Sequence, residues 1–171
     1  LRWMSGEYMK TLPEDTLLQH MAEWLEVAKS PMVSTGEAQR KQLLGMYRLR
    51  APTFGDMDRL ARFFFVAPTD YAPKQVKKHL IKGGGFDRLQ QAHAALLDVG
   101  RWTPERLRAV VDQLCEQTGT QIGKWAQPLR IAVTGDGVSP DLFDTLHFLG
   151  RDETLSRMAR CLADCPRSYE G

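Results

Sequence analysis

Gln127 and Arg130 stand three residues apart in the stretch Gly123-Lys-Trp-Ala-Gln-Pro-Leu-Arg-Ile-Ala-Val-Thr-Gly135. Three-residue spacing on a helix puts both side chains on one face. An amide offers a donor and an acceptor, and a guanidinium offers a rigid fork of donors. Together they suit the reading of base edges and a phosphate on unpaired RNA, where splayed bases expose hydrogen-bonding edges. By spacing alone, a solvated polar face is the simpler account. Beside them, Trp125 reads as a core anchor. Thr134-Gly135 reads as a helix end, and Ser139-Pro140 as the next helix start, with Ser139 as N-cap and Pro140 in the first helical position. Amides at such a start donate to anionic or carbonyl groups of a ligand.

Two further groups carry charge that RNA could use. Arg48 and Arg50 close a helical pattern, where cations complement the helix dipole. Lys74, Lys77, Lys78, Lys82 and Arg88 form the densest basic stretch. At ordinary helical spacing, positions 74, 77, 78 and 82 share one side, a pattern compatible with phosphate contact and equally with a solvated face.

Groups for bond-making chemistry are missing. There is no dinucleotide glycine fingerprint, phosphate-binding loop, zinc-protease helix or nucleophile elbow. Asp56 and Asp58, two apart on a helix, do not face each other. The four histidines lie singly on or beside apolar faces and read as structural. The three cysteines, Cys115, Cys161 and Cys165, lack metal-ligand spacing and read as reduced, partly buried thiols of a cytoplasmic protein.

The elements that must position these residues read as helices throughout. Pro13 opens one, with Glu14 and Asp15 in its first turn and Leu17, Leu18, Met21, Leu25 and Ala28 at helical spacing, and Pro31 stops it. A second spans Gly36 to Leu49 and ends before Pro52. Thr53-Phe-Gly-Asp56 is a capping box with Asp in place of Glu. The turn-rich Ala67–Pro73 stretch suggests a boundary, dividing the chain into residues 1–72 and 73–171. A lysine-bearing helix from Lys74 to Ile81 ends in Gly83-Gly84-Gly85, a flexible turn. Thr103-Pro104-Glu105 starts another helix, which Gly119 closes. Ile131-Ala-Val133 is β-branched, but Pro128 just before it fits the first turn of a short helix. The expected fold is all-α, a cage or bundle of roughly nine to eleven helices in two subdomains.

Composition agrees without adding a function. In 171 residues, 43% hydrophobic side chains suffice for a packed core. A net charge of only +2 means that an RNA site needs a local basic face. No run of about 18 apolar residues exists to span a membrane. The opening Leu1-Arg2-Trp3, without an initiator Met or a leader, suggests the tail of a longer protein.

Several stretches resemble the C-terminal anticodon-binding region of bacterial-type glutamyl-tRNA synthetases, and the likeness covers nearly the whole chain. Leu1-Arg-Trp3-Met-Ser-Gly-Glu-Tyr8-Met resembles the family's apolar-x-Trp-apolar-Asn-x-x-Tyr-Ile segment, with Ser5 where Asn is usual. Arg50-Ala-Pro-Thr53-Phe-Gly-Asp-Met57 resembles its Arg-x-x-Thr-Leu-x-Glu-apolar turn. Lys124 to Gly135 followed by Ser139-Pro140 is the most specific element. Leu149-Gly-Arg-Asp-Glu-Thr-Leu-Ser-Arg157-Met resembles its closing Gly-Lys-Glu-x-x-x-x-Arg-Ile helix.

The resemblance implies an α-helical cage that binds the anticodon loop of glutamate tRNA. It implies that Arg50 contacts the third anticodon base, and that Gln127, Arg130, Ser139, Pro140 and Leu142 surround the first two. Asp112 departs from relatives that place a basic RNA contact there. The family's ATP-binding catalytic motifs are absent from these residues. The chain is therefore expected to be a catalytically silent, monomeric, cytoplasmic fragment without a cofactor of its own, its parent enzyme using ATP with Mg. The competing expectation is a helical protein-binding module without RNA contact. Arg50, Arg130 and the Lys74–Lys82 face would converge for RNA and scatter for a protein binder.

Overall fold

Leu17, Met21 and Leu25 recur every four residues, and helix α2 (Glu14–Ala28) buries all three. In the computed structural model, which describes residues 6–169, every regular element is helical. The segment Leu1-Arg-Trp3-Met-Ser5 lies outside the described residues. Two units divide between Val66 and Ala67.

The first unit contains α1 (Gly6–Thr11), α2, α3 (Glu37–Tyr47) and α4 (Phe54–Ala61). Pro13 is the N-cap residue of α2, one place before its expected position. Lys29, at φ 54°, ends α2, and Pro31 opens a 3₁₀ turn (Pro31–Ser34) rather than merely stopping a helix. Met21, Leu44, Phe54 and Met57 are among its fully buried side chains. The capping box at α4 is formed: Thr53 Oγ1 accepts from the Asp56 amide (3.1 Å) and donates to Asp56 Oδ2 (2.8 Å). That hydroxyl first, and Arg59 second, hold the Asp56 carboxyl below its usual range.

The second unit contains α5 (Pro73–Val76), α6 (Gly85–Leu97), α7 (Pro104–Thr118), α8 (Gly123–Thr134), α9 (Leu142–Leu149) and α10 (Arg151–Asp164). Its core joins all six, from Val76 and Leu89 through Leu107 and Leu129 to Leu146 and Met158. Residues 67–72, placed before the boundary by sequence, belong to this unit. Tyr71 is buried in the core, and the Ala72 amide donates to the Gly135 carbonyl (2.9 Å). Gly135 is at φ 80°, and a Cβ there would stand 2.7 Å from the Asp70 carbonyl oxygen.

Two stretches differ from the sequence expectation. The Lys74–Ile81 helix is broken: α5 passes into a π turn (Lys77–Ile81) and then a 3₁₀ turn (Lys82–Gly84). Gly83 and Gly84 take φ 65° and 77° there, so the glycines are conformationally required. α8 begins at Gly123, which puts Pro128 inside the helix rather than in its first turn. A proline there deprives the carbonyl four residues earlier of its amide. That carbonyl belongs to Lys124, and Arg88 Nε donates to it at 2.8 Å.

Candidate nucleic-acid interface

Helix α8 presents Gln127 and Arg130 half-buried, less exposed than their spacing suggested. Trp125, by contrast, is 1% exposed, and its Nε1 donates to Thr120 Oγ1 at 2.7 Å. At the far end of α8, Gly135 is the left-handed closing residue that the sequence indicated. The buried Arg157 ties α10 to this end, donating to Val133 O (2.8 Å) and to Glu153 Oε1 (2.7 Å).

The turn into α9 differs from expectation. Its N-cap is Asp141, whose Oδ1 accepts from the Phe143 (3.0 Å) and Asp144 (3.1 Å) amides. Ser139 and Pro140 therefore precede the helix instead of starting it. Freed from capping, the Ser139 hydroxyl accepts from Arg130 Nε (3.1 Å) and donates to Pro140 O (2.7 Å). Asp141 adds negative charge beside the guanidinium. It partly offsets the burial that draws the Arg130 pKa down. Arginine nevertheless remains a cation.

Arg130, Ser139 and Pro140 are thus brought together, with Gln127 about one turn earlier on α8. Leu142 does not share their exposure. It is 2% exposed and packs in the core, where it supports the turn. Asp141 was missed from sequence, although an Asp directly before an apolar run is an N-cap signal.

The other candidates lie on other elements. In the first unit Arg50 is exposed, and its amide donates to Tyr47 O (2.8 Å). Burial pushes the Tyr47 phenol up, and the Arg50 charge partly opposes that. Arg48 is structural: its guanidinium donates to Met9 O (3.0 Å) and Leu12 O (2.6 Å) around the end of α1.

In the second unit Lys74, Lys77 and Lys78 are exposed, the first on α5 and the other two in the π turn. Lys77 Nζ lies 5.3 Å from the Tyr169 ring centre. Lys78 instead lines a small pocket with His79, Lys82, Arg88, Lys124 and Pro128. Asp112 pairs with Arg108 at 3.8 Å. Cys161 and Cys165 are buried free thiols, and burial pushes both upward in pKa. Among the described residues no group of three His, Cys, Asp or Glu side chains is placed to hold a metal ion. No described helix is long and apolar enough to cross a membrane.

Similarity to known proteins bears on this face. The chain is 32% identical over 166 residues to "Glutamate--tRNA ligase 1" of Acidithiobacillus ferrooxidans, covering 95% of this chain and 35% of that protein. It is 32% identical over 163 residues to the glutamate–tRNA ligase of Myxococcus xanthus, covering 95% and 33%. The chain therefore spans about a third of the length of the curated relatives it matches. The fold matches the crystal structure of a glutamate tRNA ligase from Elizabethkingia meningosepticum with a TM-score of 0.85. That match has 22% identity and covers 95% of this chain and 31% of that one. The family model described as "Anticodon binding domain" matches residues 16–162, a span that holds Arg50, both faces of the α8–α9 turn and the π-turn lysines, and the chain belongs to that family.

Proposed function

We propose that this chain is the anticodon-reading module of a glutamate–tRNA ligase, with the anticodon loop of glutamate tRNA as its ligand. The observation that carries the reading is the Arg130–Ser139 bond on α8, which fixes a guanidinium beside the α8–α9 turn. Gln127 lies on the same helix. In this reading Gln127, Arg130, Ser139 and Pro140 surround the first two anticodon bases, with Leu142 shaping the turn beneath them. Arg50 reads the third base. The whole ligase attaches glutamate to tRNA with ATP and Mg, acts in the cytoplasm as a monomer, and takes its RNA specificity from this module. The ligase relatives favour this reading over a protein-binding module.

Binding of glutamate tRNA and an anticodon-swapped variant to the 171-residue chain tests it. The chain is expected to prefer the cognate RNA. Arg130→Ala is expected to weaken cognate binding at modest cost to stability, about 1 kcal/mol for the lost Ser139 hydrogen bond. If Arg130→Ala unfolds the chain with no specific binding defect, the α8 face is structural.

Arg50→Gln is expected to relax preference at the third anticodon base. By analogy with bidentate base contacts in DNA grooves, the discrimination lost is about 1–3 kcal/mol. An Arg50 variant that weakens every tRNA equally would instead mark Arg50 as a phosphate contact.

A further inference from the structure

We propose that Lys78, Lys82, Arg88 and Lys124 form a cradle for the sugar-phosphate backbone of the same RNA, distinct in role from the base-reading group on α8. The four cations line one small pocket with His79 and Pro128, and no carboxylate lines it with them. None of the four joins a salt bridge among the described residues. Three are lysines with exposed side chains, each a compact charge with three rotatable donors. Phosphate contacts of this kind supply affinity without sequence information.

The fold assembles the cradle from four elements. The π turn carries Lys78 and the following 3₁₀ turn carries Lys82. Arg88 comes from α6 and is anchored through Nε to the Lys124 carbonyl that Pro128 leaves without an amide. Its terminal nitrogens lie by Gly83 and Gly84, about 4 Å from where side chains on those glycines would begin. Burial first, and then the Lys78 and Lys124 charges, hold the His79 imidazole below its usual range, so the local field is positive.

Lys124 and Arg130 are six residues apart on one helix, about 9 Å along its axis. At 3.6 residues per turn they are also about 120° apart around it, with Gln127 between them. The identity of the ligand rests on the RNA reading given above.

The test measures affinity across a salt series for the unmodified chain and the variant Lys78→Gln/Lys82→Gln/Lys124→Gln. The probes are glutamate tRNA, its anticodon-swapped form and a twelve-nucleotide oligouridine. Lys74→Gln/Lys77→Gln is the comparison for charge outside the cradle.

The triple variant is expected to bind all three RNAs on the order of tenfold or more weakly at 0.1 M salt. Its salt slope should be shallower by about 2, from three contacts at roughly 0.7 each. The ratio between the two tRNAs should stay unchanged. Unchanged affinity and slope, or no binding of any probe by the unmodified chain, would overturn the cradle. An equal loss per charge in the Lys74/Lys77 variant would overturn it too, since the effect would then be one of net charge. If oligouridine binding depends on the three lysines while the tRNAs are not distinguished, the cradle stands and the anticodon reading fails.

Discussion

Trp125→Ala is expected to lower the stability of the second unit by about 3–5 kcal/mol, the usual cost of removing a large buried aromatic side chain. Trp125 is 1% exposed and belongs to the core that joins α8 to its neighbours. Truncation would leave a cavity and remove the indole donor that reaches Thr120 Oγ1. Thr120 would lose little, because its hydroxyl also meets that of Thr118 at 2.6 Å. The cost is therefore mainly the cavity. Native stabilities are about 5–15 kcal/mol, so the loss is a large fraction of the whole. Denaturant unfolding monitored by far-ultraviolet circular dichroism measures it. A midpoint shift equivalent to less than about 1 kcal/mol would mean that the indole is not the anchor of α8.

Gly85→Ala is the second large effect, and it runs against helix propensity. Gly85 opens α6 with ordinary right-handed angles, φ −61° and ψ −39°. At an open helical position, alanine is preferred to glycine by about 1 kcal/mol. Here a Cβ would stand 1.8 Å from the His79 carbonyl oxygen and 2.6 Å from Leu80 Cα, both backbone atoms. No rotamer relieves such an overlap, so α6 must move away from the π turn. A destabilisation of roughly 1–3 kcal/mol or more is expected from the overpacking. Gly119→Ala is a useful comparison, since nothing lies within 4 Å of its Cβ position and only its φ of 66° resists the change. Thermal melts of the two variants rank the effects. If Gly85→Ala were neutral or stabilising, the close approach of α6 to the π turn would be wrong.

Helix identity was legible because each signal was local. The Thr53 and Thr103 caps, Gly119 and Gly135 at helix ends, and four-residue apolar spacing in α2 all act within one or two turns. The errors came where a distant partner decided the outcome. Pro128 suggested a helix start because its lost hydrogen bond would be costly inside a helix. Arg88, 36 residues away from Lys124, removes that cost. Gly83 and Gly84 form the turn that the sequence indicated, but Gly85 belongs to α6, and nothing local revealed that it must lie against His79.

For the candidate site, sequence spacing put Gln127 and Arg130 on one helix but did not show their burial. It also gave the capping role to Ser139, since Ser-Pro is a strong start signal, while Asp141 two residues on provides two capping bonds. The resemblance selected Leu142, whose side chain lies in the core. Side-chain orientation depends on how α9 packs, and residue type alone does not fix it.

The bond from Arg130 to Ser139 has a further consequence for the thermodynamics of recognition. An unrestrained arginine must give up its rotamer freedom when it meets a ligand, at about 0.5–1.5 kcal/mol for a rotamer-rich side chain. Here the fold has already imposed part of that order, because Ser139 accepts from Nε and the donors of the two terminal nitrogens are not used in that bond. Association with an RNA base should then carry a smaller entropic penalty at this residue.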